Sequence, residues 1–225
     1  MNITELLKKN KNNFSPLFQP DLTADNTLMI DFSTSNPEMK KLDFMDQQMM
    51  NDFVFGKIKA AGKTYGYGGY LEDRELYRRS MVFNTGNGDS RSIHLGTDIW
   101  TQEEKPIRCP LDGRVHSFNN NTNFGDYGPT IILEHVLGET KFFTLYGHLS
   151  KESLNGMFPG KYINKGQIFC YVGNSRVNGE WPPHLHFQLI TDMMDKEGDF
   201  FGVCHKNEVA KYKKLCPDPS VFFSL

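Results

Sequence analysis

Residues 129–135 read PTIILEH, 141–149 KFFTLYGHL and 184–190 HLHFQLI; with 110–118 PLDGRVHSF and 167–173 QIFCYVG they make a series of short β-prone runs separated by turn residues. Runs of this length, rich in Ile, Phe, Tyr, Val and Thr and bounded by Gly, Pro, Asp and Asn, read as strands. The series begins near Met81 and predicts a mainly β fold, a compact and mostly antiparallel sheet domain over residues 81–225. Asp112-Gly113, flanked by apolar residues, supplies one turn signal, and Lys165-Gly166 another. The tail from Thr191, which includes CPDPS, reads as irregular structure folded back over the sheet.

Upstream, residues 1–80 read as an N-terminal helical and irregular extension packing on that core. Asn36-Pro37 makes a cap and first turn, and Leu42, Met45, Met49 and Phe53 recur at helical spacing, with the methionines as core filler. KTYGYGGY, ending at Tyr70, is too rich in glycine for a stable helix or a regular central strand and reads as a loop. LEDRELYRRS, residues 71–80, reads as a short charged helix or extended piece.

Bulk properties exclude several classes. A chain of 225 residues holds one large domain, or one with an added segment. A net charge of −2, from 25 basic and 27 acidic side chains, gives no field of one sign, so neither nucleic acid nor a membrane surface is expected as a partner. No run approaches a membrane span. Cys109, Cys170, Cys204 and Cys216 lack paired spacing and read as reduced structural thiols. The stretch from Met1 to Asn13 has no secretion-signal pattern, which together with the thiols points to a cytoplasmic location.

The chemistry gathers around histidines. His94 lies in IHLGTD, His148 in LYGHLS, and His184 with His186 in PPHLHFQL. Residues two apart in a strand point to the same side, so His184 and His186 project into one space, where one can bind a metal and the other face a substrate. Gly96 between His94 and Asp98 favours a strand at a tight bend, which can bring both onto one ion. Two imidazoles and a carboxylate form a ligand class that zinc accepts at catalytic sites, with a fourth position left for water. Such a zinc activates water and polarises a carbonyl, and amide hydrolysis is the obvious use. The remaining imidazoles can take a proton from the water and steady the charged intermediate. His116, His135 and His205 lack comparable neighbours and read as ordinary core or surface histidines.

These motifs resemble those of the lysostaphin-type or LytM-like zinc endopeptidases, which cleave peptides of the bacterial cell wall. The likeness rests on an early His-x-x-x-Asp (IHLGTD), a middle YGHLS and a late His-x-His (HLHF), in that order, and extends from about Arg91 to Leu189. It implies a metallopeptidase domain in which His94, Asp98 and His186 hold Zn2+ and His148 and His184 are the catalytic pair. The implied substrate is peptidoglycan stem or bridge peptide. Within the family, NGEWPPHLHFQL, YLEDRELYRRS and LCPDP look most like the peptidase-like module found beside kinase-like and aminotransferase domains in some fusion proteins. Two alternatives stand beside this one: a peptidase-fold module that binds or regulates without cutting, since PLDGRVHSF and GKYINKGQIF resemble hairpin units of biotinyl and lipoyl carriers, and a zinc hydrolase acting on an amide outside the cell wall.

Overall fold

The computed structural model describes residues 2–74, 91–123 and 125–225. Its centre is strand β11 (His184–Ile190), whose every residue is buried. Alternation divides that strand: Leu185, Phe187 and Leu189 belong to one apolar cluster, while Ile190, on the His184, His186 and Gln188 side, belongs to another. Each fully buried Leu or Phe contributes about 1.5–3 kcal/mol relative to exposure. The apolar side alone therefore anchors the strand, and the opposite side is left to carry polar groups.

Around β11 the chain supplies β1 (Thr27–Met29), β2 (Tyr65–Gly68), β3 (Ile93–His94), β4 (Thr97–Trp100), β5 (Pro106–Arg108), β6 (Gly113–Asn121), β7 (Gly128–Leu137), β8 (Thr140–Gly147), β9 (Tyr162–Ile163), β10 (Ile168–Tyr171) and β12 (Val203–Cys204). Among the described residues an eight-stranded sheet runs β1-β2-β4-β11-β8-β7-β6-β9. Its neighbours are antiparallel except β1 and β2, which are parallel. The small pairs β5–β10 and β3–β12 are also antiparallel. The mainly β, antiparallel expectation is met. At the turn before β10, Lys165 donates its backbone N–H to Asp112 Oδ1 at 2.7 Å, so the two turn signals of the sequence meet.

Three helices complete the chain's described part: α1 (Ile3–Asn10), α2 (Gln47–Ala60) and α3 (Val209–Leu215). None among the described residues is long and apolar enough to cross a membrane. Leu7 of α1, with Leu17, Phe18 and Leu22, enters the same cluster as Phe187, Phe222 and Phe223, so both ends of the chain cover one face of the sheet. α2 packs Met50, Val54 and Ile58 against Ile30, Phe32 and Trp100, with Trp181 at the margin. All four cysteines are buried and unpaired.

Four readings of the sequence need correction. Asn36 caps, but only the short 3-10 turn Pro37–Lys41; α2 starts anew where Asp46 accepts from the Met49 N–H at 3.0 Å. The stripe of Met45 and Met49 faces out, at 62% and 38% exposure, because the core face of α2 is the i, i+4, i+8 row Met50, Val54, Ile58. Tyr65–Gly68 is an internal strand rather than a loop, and its glycines are what let it be one. A Cβ on Gly66 would lie 2.9 Å from Ile58 Cδ1 and 3.2 Å from Trp100 Cβ, and one on Gly68 would lie 2.4 Å from the Ile30 carbonyl oxygen. The tail is more regular than expected, since β12 pairs with β3 and α3 follows it. The charged helix or extended piece at 71–80 falls mostly outside the described residues.

Two measurements test this packing. Gly68→Ala forces β1 and β2 apart at a backbone contact, and urea unfolding should show a loss of about 1–3 kcal/mol; an unchanged midpoint would contradict the close approach. His135 is buried, donates from Nδ1 to the Asp112 carbonyl at 2.9 Å and has Thr144 Oγ1 at 2.7 Å from Nε2. Burial, against the pull of Asp112 and Glu134, lowers it from 6.5 to about 4. Because the fold holds the neutral ring, its stabilising effect is complete above about pH 6.5 and is lost as pH falls through about 4, a change of about 3 kcal/mol. The stability gap between the native protein and His135→Gln should shrink by that amount between pH 7 and pH 4; a constant gap sinks the assignment.

Candidate metal centre

The register of three strands assembles the site. His186 lies directly opposite Asp98 of β4 on one side and Gly147 of β8 on the other, and His184 lies opposite Trp100. Gly96 supplies the bend between β3 and β4 that returns Asp98 beside His94, and it has a second duty: a Cβ there would lie 2.5 Å from the His186 ring. His148 follows the last residue of β8 with φ +61°, a left-handed conformation that turns its side chain out of the strand's alternation.

Each imidazole is oriented by an oxygen that can only accept. His94 Nδ1 lies 3.0 Å from the Gly69 carbonyl, His148 Nδ1 2.7 Å from the Asn178 carbonyl, and His184 Nδ1 2.7 Å from the Pro182 carbonyl. In all three the proton sits on Nδ1 and Nε2 carries the lone pair. His186 is reversed, with Nε2 2.9 Å from Gln188 Oε1, so Nδ1 carries the lone pair. His94 Nε2 and His186 Nδ1 therefore face each other lone pair to lone pair at 3.0 Å. Asp98 Oδ1 stands 3.4 Å from the first and 3.3 Å from the second, and 3.6 Å from His184 Nε2.

This donor set fits a cation. The ligand atoms of His94, Asp98 and His186 lie within 4.8 Å of one another and all three residues are buried. Asp98 Oδ1 is buried without a hydrogen-bond partner, whereas Oδ2 accepts from Arg74 Nη1 at 2.6 Å. An acceptor without a donor in the interior is costly, and converging acceptors need a positive charge between them. Burial alone would raise the Asp98 carboxyl, but His94, Arg74, His184 and His186 outweigh it and hold the group well below the usual carboxylate range. Burial drives His94 well below its ordinary value, with Arg74 adding to the effect. Burial and the neighbouring His184 and His186 do the same to His148, and burial lowers His184. The rings of His94, His148 and His184 are thus neutral at pH 7, the state in which imidazole ligates metal or accepts a proton.

A pocket of about 180 Å³ opens over these groups. Trp181 and Pro182 line it together with Phe200, Phe201 and Val203, and Trp100 stacks on His184 with ring centroids 5.8 Å apart. Asn178, fully buried, brackets Trp181 by donating to its carbonyl at 3.0 Å and accepting from its N–H at 3.1 Å, while its own carbonyl holds His148. All five sequence-predicted site residues, His94, Asp98, His148, His184 and His186, therefore meet around one space. His116 and His135 lie apart from the pocket lining, as does His205.

Sequence reasoning missed four contributors. Gln188 had a signal, the period-2 continuation of His184 and His186. Gly69, Asn178 and Arg74 had none that the motifs carry. Arg74 lies 3% exposed, its Nε donates to Glu72 Oε2 at 2.7 Å, and its grip on Asp98 depends on a long-range approach.

Residues 92–197, from just before β3 to just beyond β11, match the family model described as Peptidase family M23. It is similar to L-Ala--D-Glu endopeptidase of Bacillus subtilis, 28% identical over 142 residues; the match covers 61% of this chain and 41% of that protein, so the chain spans less than half of that relative's length. Among solved structures it is similar to Helicobacter pylori Csd3, at 31% identity over 45% of this chain and 24% of the other, with a TM-score of 0.34. It is also similar to the catalytic domain of the antimicrobial peptidase lysostaphin from Staphylococcus simulans, at 23% identity over 67% of this chain and 92% of the other, with a TM-score of 0.39.

Proposed function

We propose that the protein is a zinc-dependent endopeptidase in which His94, Asp98 and His186 hold the metal and His148 and His184 act as the catalytic pair. The observation that carries this is the convergence of His94 Nε2, His186 Nδ1 and the unpartnered Asp98 Oδ1. Two nitrogens and one oxygen suit zinc with a coordination position left open. Bound zinc supplies Lewis acidity toward a carbonyl oxygen and an acidified water. The protein's own part is to keep that space dry, to hold a peptide across it and to move the proton.

His148 and His184 are suited to the proton. Their ring centroids lie 4.3 Å apart, both carry the proton on Nδ1, and both present a neutral Nε2 to the pocket. An imidazole in that state accepts a proton from the attacking water, and as imidazolium it steadies the tetrahedral intermediate and returns a proton to the leaving amine. Trp181, Pro182 and the Phe200–Val203 segment line the same pocket and supply apolar surface against which a peptide can lie. Peptidoglycan stem or bridge peptides are the proposed substrate, supported by the likeness to the L-Ala--D-Glu endopeptidase of Bacillus subtilis and by the match to Peptidase family M23.

Metal analysis of protein purified without chelator should give close to one zinc per chain, lost in His94→Ala and Asp98→Ala; a native protein with no zinc affinity sinks the proposal. Incubation of the zinc-loaded protein with purified muropeptides, read by mass spectrometry, should reveal cleavage within the peptide. His148→Ala and His184→Ala should keep zinc while slowing cleavage by about a hundredfold or more. Loss of zinc in either would mean that a ligand and a proton carrier have been exchanged.

A further inference from the structure

Gln188 is fully buried on the metal-facing side of β11, two residues beyond His186. Its amide is oriented from outside the site. Nε2 donates to the Phe201 carbonyl at 3.0 Å, a group that can only accept, and to Cys216 Sγ at 3.2 Å, at the end of α3. With the amide nitrogen committed there, Oε1 must face the other way, and it stands 2.9 Å from His186 Nε2. Tyr127 Oη donates to the same oxygen at 3.5 Å. That phenol fits because Gly202 has no side chain, since a Cβ there would lie 2.1 Å from Tyr127 Oη.

The consequence falls on His186. A neutral imidazole has one proton and two places to put it, and an acceptor at Nε2 decides the matter in favour of Nε2–H. Only then does Nδ1 face Asp98 Oδ1 and His94 Nε2 as a ligand atom. We infer that Gln188 is a positioning residue of the metal centre, fixing the His186 tautomer by an amide that the Phe201 loop and Cys216 lock in orientation. The inference rests on the zinc reading for its consequence, though the tautomer exists without the metal. It also gives the C-terminal segment a part in the site: Cys216 and the Phe201 loop touch no ligand, yet they set which nitrogen of His186 is available.

The test uses the full chain and two variants, Gln188→Glu and Gln188→Leu, with zinc affinity measured by competition against a chromophoric chelator at pH 7. Glutamate keeps an oxygen acceptor at His186 Nε2, whereas leucine keeps the volume and removes the acceptor. Leucine should weaken zinc by about 10- to 100-fold while glutamate stays within about threefold of the native protein. A packing role predicts the opposite ranking, because a buried leucine is tolerated where a buried carboxylate is not. Leucine binding zinc as tightly as the native chain overturns the inference. Should leucine fail to fold, 15N NMR of the native metal-free protein at pH 7 decides: His186 protonated on Nε2 supports the role, and protonation on Nδ1 overturns it. A native protein that binds no zinc would remove the metal reading, while the NMR measurement would still decide the tautomer.

Discussion

Four imidazoles crowd one buried space, and what makes that tolerable is a ring of oxygens that each take one ring proton outward. Gly69, Asn178 and Pro182 provide backbone carbonyls, and Gln188 provides an amide oxygen. Every remaining ring nitrogen is thereby turned inward as a lone pair. Without those acceptors the rings would be satisfied by one another, donor to acceptor, and the space between would hold hydrogen bonds instead of a ligand set. The β11 register performs the complementary task, since it sets His186 opposite Asp98 with no freedom to slip: a shift of one residue would send the histidines into the apolar cluster and Leu185 and Phe187 into the site.

The parts legible in the sequence were those in which a local period equals a structural one. HLHFQLI alternates polar and apolar, and a strand converts this directly into two faces; IHLGTD carries its own bend in Gly96. The parts not legible depend on approach from elsewhere in the chain. Tyr65–Gly68 looks like a loop because glycine is poor in strands, and only the positions of Ile58, Ile30 and Trp100 reveal that side chains would not fit there. The methionine stripe failed for a related reason: Asp46 starts a new helix, so the spacing counted from Leu42 runs across a break and selects the wrong face. Arg74 meets Asp98 and Asn178 meets His148 through space, at separations no motif encodes.

The site is accordingly a shared product of distant segments. Ile30, Phe32 and α2 support Trp100, which stacks on His184; the Asn178 turn holds both Trp181 and His148; the Phe201 loop and α3 reach Gln188. None of these contacts involves His94, Asp98 or His186 directly, yet each removes a rotation from a side chain that stands in or beside the site.

His148 stands apart from this economy. It leaves β8 at φ +61°, in a region where a side chain bearing a Cβ costs about 1–3 kcal/mol relative to glycine. Its N–H is bonded to the Tyr127 carbonyl at 2.8 Å and its carbonyl accepts from Gly173, so the backbone has no easy way to relax. Drift at this position is therefore biased: a chain with no use for an imidazole at residue 148 would become more stable by losing it to glycine or asparagine. A histidine there runs against the fold's own thermodynamic interest, a local cost set beside the proton-carrying part proposed for it.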